Sequence, residues 1–153
     1  MRAGAALVVA AAGLLGGALA SCDTVDLGAP PSDINVCQPS MRFFVDEIWP
    51  NVLSKDYGGK HCYDAKCHDP GSGRPLSLIG NPMPKLAPGD PIPDPVPDDW
   101  AKNYRSTTEQ MNCANVTASD LILLPTNQRT HGGGQLFAPT DPEVTLITNW
   151  VNQ

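Results

Sequence analysis

The apolar residues of the chain gather in short clusters with helical spacing, and the first cluster begins shortly after residue 39. In SMRFFVDEIWPNVLSK the apolar side chains recur every three or four positions, which predicts one face of an amphipathic helix. Ser40 stands at the start of this stretch, where a hydroxyl is suited to cap a helix. Pro50 lies inside the pattern, so we expect a kink or a restart of the helix there. The apolar residues of this face are Phe44, Val45, Ile48, Trp49 and Val52.

The clearest helical pattern closes the chain, in TDPEVTLITNWVNQ. Thr140 followed three residues later by Glu143 has the form of a capping box, and Pro142 suits the first turn. The pattern therefore predicts a helix with a buried stripe. Its apolar residues are Val144, Ile147 and Val151, with Leu146 and Trp150 beside them.

Between these two helices the sequence is rich in residues that interrupt regular structure. Residues 70 to 97 contain so many prolines that neither a long helix nor a central strand is compatible with them, and we expect an extended loop. A short helix is predicted in DDWAKNYRSTTEQM, and a short apolar turn or helix in ASDLILLPTN, ending at Pro125. No run alternates with a period of two. The predicted fold is therefore mostly α, with long loops rich in proline and glycine.

The N-terminus has the layout of a secretory signal peptide: one early Arg2, an apolar run, and small residues before Cys22. Its end, Leu-Ala-Ser-Cys, resembles a bacterial lipobox, which implies that Cys22 is lipidated and anchors the mature protein to a membrane. The alternative is an ordinary signal peptide followed by a chance cysteine. We expect a leader in residues 1 to 21, a tether in 22 to 36 and one domain in 37 to 153. The protein is then located in the cell envelope, on the periplasmic or outer-surface side.

Charge and cysteine content narrow the classes of function. The 153 residues carry a net charge of −6 with no basic cluster, which excludes nucleic acid as a partner. Outside the cytoplasm, paired cysteines oxidise and persist as disulfides. If Cys22 carries lipid, four cysteines remain, and four cysteines allow three pairings. They are Cys37, Cys62, Cys67 and Cys113.

The stretch HCYDAKCHDP sets Cys62 and Cys67 five positions apart, with His68 directly after the second. Covalent haem attachment needs two thiols for the two vinyl groups and an imidazole beside the second thioether, usually as C-x-x-C-H. Here the spacing is C-x4-C-H. Three helical steps leave two cysteines about 60° apart around a helix, whereas five steps leave them about 140° apart. The two additional residues must therefore loop out before both sulfur atoms can reach one haem.

Together with the flanking elements, this motif resembles the small single-haem cytochrome c domain, in which attachment sites with a longer spacer also occur. The first and last predicted helices match the two that cross in that family, and THGGGQLF resembles the HGGG-x-x-F segment of cytochrome-like domains in exported bacterial proteins. The resemblance covers most of residues 37 to 153. It implies a cytochrome c-like fold and a covalently bound haem c. Cys62 and Cys67 would then form the thioethers, and His68 would be the proximal iron ligand.

The same resemblance places the sixth iron ligand shortly before the last helix, where His131 stands. Three glycines after it would let the backbone approach the porphyrin closely. Met83 is the alternative ligand, and water or no ligand is a third possibility. Cys37 and Cys113 would be left over, and a disulfide between them would close a long loop. On this interpretation the protein transfers electrons to a redox partner and is not an enzyme.

Two other hypotheses remain open from the sequence. In the first, Cys62–Cys67 and Cys37–Cys113 are both disulfides, and the chain is a haem-free envelope lipoprotein that binds a partner or has a structural role. In the second, Cys62, Cys67 and His68 or His131 bind copper or zinc, because thiolate and imidazole suit both metals. A hydrolase is excluded: HGGG also resembles the oxyanion-hole segment of lipases, but no G-x-S-x-G is present and the chain is too short for that fold.

Overall fold

The computed structural model describes residues 38–80, 83 and 86–153. The predicted leader, Cys22, the tether and Cys37 lie outside these residues. The described part of the chain consists of helices, turns and irregular segments without a β-strand, so the prediction of a mostly α fold is confirmed. No helix within it has the length and apolarity needed to cross a membrane.

The first helix begins as one α-helical turn, α1 (Met41–Phe43), and continues as a π-helix over Phe44–Leu53. Ser40 is its N-cap, as predicted, since the Ser40 hydroxyl accepts a 3.2 Å hydrogen bond from the Phe43 N–H. Of the kink or restart expected at Pro50, the restart is absent. The helix runs through this residue and ends only after Leu53.

The π register agrees with the spacing of the buried residues. These come in pairs that repeat every four positions, which is wider than the roughly 3.6 residues of an α-helical turn and closer to the i→i+5 bonding of a π-helix. In an α-helix the ring of Pro50 would also clash with the carbonyl group four residues earlier. The last turn closes on the Trp49 carbonyl, which accepts bonds of 2.8 Å from both the N–H and the hydroxyl of Ser54. The buried residues are Phe44, Val45, Ile48, Trp49, Val52 and Leu53.

The C-terminal helix α4 (Pro142–Val151) packs against the π-helix. Phe44 and Trp150 stack with ring centroids 5.4 Å apart, and the edge of Tyr104 meets both rings. The Trp150 indole N–H donates a 2.9 Å hydrogen bond to the Ser40 carbonyl, so the indole is both packed and satisfied. This aromatic cluster fixes the first and last helices to each other.

The start of α4 differs from the predicted capping box. Its N-cap is Asp141 instead of Thr140, and the Asp141 carboxylate accepts a 2.7 Å bond from the Ala138 N–H. Glu143 does not fold back onto the cap. It is buried and forms an ion pair with Lys55, which lies just beyond the π-helix. A long-range electrostatic contact has therefore replaced the local one, and Glu143 joins Ile147 and Trp150 on the buried face.

Three short elements and one longer helix occupy the middle of the chain. They are the helix α2 (Asp98–Thr108), the single turn α3 (Asp120–Leu123) and the 3-10 turns Pro70–Ser72 and Val116–Ala118. Leu76, Leu78 and Met83, from the proline-rich segment, are buried in the core. The segment also contacts the first helix, because Arg42 donates to the carbonyl groups of Leu86 and Ala87.

Candidate functional site

The structure brings together His68 and His131, which lie far apart in the sequence. Their imidazole centroids are 6.1 Å apart and their planes differ by only 11°. His68 follows the cysteine loop, and His131 begins the turn between α3 and α4. The two predicted ligand histidines are thus neighbours.

His68 is held by a backbone carbonyl group. Its Nδ1 lies 3.1 Å from the carbonyl oxygen of Leu76. A carbonyl oxygen only accepts hydrogen bonds, so Nδ1 must carry the proton and Nε2 keeps a free lone pair. Burial lowers the pKa of His68 below its usual value, and the neighbouring His131 and Arg74 lower it further, while the bond to Leu76 acts in the opposite direction. The neutral imidazole is therefore the favoured form at neutral pH.

His131 has the same tautomer for the same reason. Its Nδ1 lies 2.9 Å from the Gly134 carbonyl oxygen, and the Gly134 N–H returns a 2.9 Å bond to the His131 carbonyl. Gly134 has a φ of +76°, which glycine adopts without strain. At Gly133, an added Cβ would come within 3.1 Å of the His131 ring. The three glycines therefore let the chain turn back closely enough for a carbonyl to orient the ring that begins it.

Replacing Gly134 by alanine should disturb this turn. The left-handed conformation costs an L-residue roughly 1–2 kcal/mol, so Gly134→Ala should lower the free energy of unfolding by about that amount. Gly132→Ala is the matched control, since its added Cβ would meet nothing closer than the Arg74 guanidinium at 4.0 Å and its φ is not positive. Denaturant titrations of both variants measure the effect. Equal losses in the two variants would contradict the assigned role of Gly134.

Cys62 and Cys67 are both free thiols, whereas Cys113 is disulfide-bonded. The predicted partner of Cys113, Cys37, lies outside the described residues. Burial raises the pKa of the Cys62 thiol to about 12, and the nearby Cys67 and Asp64 contribute to the increase. Cys62 is therefore a neutral thiol at physiological pH. The alternative hypothesis of a Cys62–Cys67 disulfide does not agree with these two free thiols.

Two adjoining clefts share four residues in their walls and give access to both imidazoles. Their cavity volumes are about 90 and 140 Å³. The smaller cleft is bordered by the cationic side chains of Lys60, Lys66 and Arg74, and the larger one is mainly apolar. The shared residues are Cys62, His68, His131 and Leu136.

Of the remaining side chains, the alternative ligand Met83 lies elsewhere, whereas His61 lines the smaller cleft. Met83 is buried in the hydrophobic core, and it lines neither of the clefts that contain His68. His61 is half-buried: its ring stacks on Tyr63 at 5.0 Å, and its Nδ1 lies 3.5 Å from Asp64. Of the two candidates for a ligand opposite His68, the structure therefore brings only His131 next to it.

Sequence reasoning did not find the groups that orient these imidazoles. The carbonyl groups of Leu76 and Gly134 leave no signal in the residue types. The buried residues of α2, in contrast, do leave a signal in the sequence. Trp100, Asn103 and Thr107 recur at helical spacing, and this mixed stripe is buried.

Chemically, the site offers two imidazoles with free Nε2 atoms and two reduced thiols in the wall of the smaller cleft. Among the described residues, no three His, Cys, Asp or Glu side chains group closely enough to hold a bare metal ion. No protein-family model, no curated protein and no solved structure matches the chain.

Proposed function

We propose that this protein is a c-type cytochrome: a lipid-anchored, exported carrier of single electrons with one haem bound covalently through Cys62 and Cys67. The observation that carries the proposal is the pair of imidazoles of His68 and His131. Both have their Nδ1 atoms bonded to carbonyl groups, their rings are nearly parallel, and two free thiols lie beside them.

The residues fit the covalent attachment of haem. Thioether formation adds the S–H bond of a cysteine across a vinyl group, so it needs reduced thiols and no oxidant. Cys62 and Cys67 are reduced, although Cys113 in the same domain is oxidised. The C-x4-C-H spacing departs from the usual motif, but both cysteines line the same cleft as His68.

His68 and His131 would hold the iron of the haem. Bonds of about 2 Å from two Nε2 atoms to one metal ion would hold the imidazole centroids about 6 Å apart, close to the 6.1 Å between His68 and His131. A donated Nδ1–H fixes the tautomer and ring orientation of a ligand histidine and raises its basicity. His68 and His131 both have this second interaction.

When bound, haem iron supplies a reversible change of one electron between its two oxidation states. The chain holds the two imidazoles in fixed orientations, so that neither has to move when the charge changes. Two basic imidazoles favour the oxidised state more than a histidine and a methionine do, so the reduction potential should be lower than that of a His–Met site. Apolar residues of the larger cleft exclude water, chiefly Leu121, Leu124 and Phe137.

Location and partner follow from the rest of the chain. The predicted lipid on Cys22 would keep the domain at a membrane surface, outside the cytoplasm. The net charge of −6 favours a redox partner with a basic docking surface, because opposite charges steer the encounter. No substrate is converted, so the protein is not an enzyme on this proposal.

An absorption spectrum and a haem stain of the full chain, produced with a cytochrome c maturation system, test the proposal. We expect a Soret band that remains with the polypeptide after denaturation and acid extraction. A second cytochrome matured in the same cells is the control for the maturation system. If that control is loaded and this chain is colourless, the proposed function is wrong.

A further inference from the structure

We infer that helix α2 positions the proximal imidazole: Asn103 and Ser106 are positioning residues for His68. The inference rests on the proposed function, in which His68 binds iron. Neither side chain touches His68. They act through the segment of residues 76–79, whose backbone contacts His68 directly.

The side chains of α2 hold this segment by its backbone. Asn103 accepts a 2.7 Å bond from the Ile79 N–H and donates a 3.1 Å bond to the Ile79 carbonyl. Ser106, one turn further along, accepts a 2.7 Å bond from the Ser77 N–H. The segment belongs to no helix or strand, so these bonds replace the pairing that a β-ladder would give it.

The backbone of the same segment holds His68 at two points. The Leu76 carbonyl accepts the Nδ1–H bond of the imidazole, and the Leu78 N–H donates a 2.6 Å bond to the His68 carbonyl. One bond fixes the ring and the other fixes the main chain from which it projects. Displacing the segment would therefore change the orientation and the basicity of the imidazole together.

The burial of Asn103 supports a specific role. Its amide is completely buried, and a buried amide is costly unless it is hydrogen-bonded. Both ends of the amide are used, and both are used on Ile79. An apolar side chain would fill the same space without that cost but would leave Ile79 unpaired.

The ring of His131 is oriented differently. Its Nδ1 bonds to a carbonyl only three residues away, within its own glycine turn. The two imidazoles therefore differ: the turn of His131 is held locally, whereas His68 is held by a separate helix. Removing a bond on α2 should thus affect the His68 side of the site selectively.

The test uses Asn103→Ala and Ser106→Ala in the full, haem-loaded chain, with Thr107→Val as the matched control. Thr107 is also completely buried on α2, but its hydroxyl bonds only to the Asn103 carbonyl within the helix. Its loss weakens α2 without releasing the 76–79 segment. The readouts are the reduction potential and the electron paramagnetic resonance spectrum of the ferric form.

We expect the potential of Asn103→Ala and of Ser106→Ala to shift to more positive values, because a weaker Nδ1–H bond makes the imidazole a poorer donor to the oxidised iron. Thr107→Val should keep the parent potential and spectrum. Potentials of the two test variants equal to that of Thr107→Val would overturn the inference. If Asn103→Ala does not fold, Ser106→Ala alone tests the inference. It removes only the bond to Ser77 and leaves both bonds between Asn103 and Ile79 in place.

A measurement that does not need haem separates this inference from the proposed function. If the chain folds but binds no haem, ¹⁵N nuclear magnetic resonance of the full chain reports the tautomer of His68. We then expect the Nδ1–H form in the parent and in Thr107→Val, and a mixture of tautomers in Ser106→Ala. If the tautomer of His68 is unchanged in Ser106→Ala, the positioning role is overturned. This outcome is independent of whether the proposed function holds.

Discussion

Replacing both Cys62 and Cys67 by alanine should abolish covalent haem attachment while the helical fold persists. Neither cysteine belongs to a disulfide, so no cross-link is lost. Acid extraction of the purified variant should remove all Soret absorbance from the polypeptide, whereas the parent should keep it. Circular dichroism should show that the helical content is unchanged.

Single variants sharpen this test. Cys62→Ala or Cys67→Ala should leave one thioether, and the α band of the extracted polypeptide should lie at longer wavelength because one vinyl group stays conjugated with the ring. Cys113→Ser is the control for losing a cysteine elsewhere. It should retain covalent haem but lower the free energy of unfolding by about 2–5 kcal/mol, since Cys113 is disulfide-bonded. Haem retained by the double variant would mean that these thiols are not the attachment points.

The elements that the sequence predicted well depend on local rules. Ser40 caps the first helix because an N-cap needs only one hydroxyl and a nearby N–H. The buried face of the first helix could be predicted because it shows a helical repeat of apolar residues. In the last helix only Ile147 and Trp150 of the predicted stripe are buried, and Glu143 completes the buried face. His68 and His131 both stand out in their immediate sequence context, the cysteine motif and the glycine run, but that context does not show that the two rings are neighbours.

The features that the sequence did not predict depend on contacts between distant parts of the chain. Glu143 has the local pattern of a capping box, but its carboxylate pairs with Lys55 instead. A proline normally interrupts an α-helix. At Pro50 the helix continues because it has the wider π register. The clamp of Asn103 on Ile79 joins two segments that no local rule connects. Such pairings are decided by packing, which a single sequence does not display.

If haem is bound as we propose, removing the second imidazole should change the electronic state of its iron. In His131→Ala we expect the six-coordinate, low-spin spectrum of the parent to give way to a high-spin spectrum, because one axial donor is lost. Added imidazole should restore the low-spin spectrum, since the small molecule supplies the missing donor. Absorption and electron paramagnetic resonance spectra of the ferric protein, with and without imidazole, measure both effects.

Met83→Ala separates the two ligand hypotheses, because the two side chains occupy different environments. Met83 is 5% exposed and packs in the hydrophobic core, so its truncation should create a cavity and lower the free energy of unfolding by about 2–5 kcal/mol. The low-spin spectrum should remain, because the His131 ring stays beside His68 with its Nδ1 bonded to Gly134. The opposite result, a spectral change in Met83→Ala and none in His131→Ala, would assign the sixth ligand to Met83. Met83 would then have to leave the core and reach the cleft, which would cost the same buried packing that the stability measurement on Met83→Ala reports.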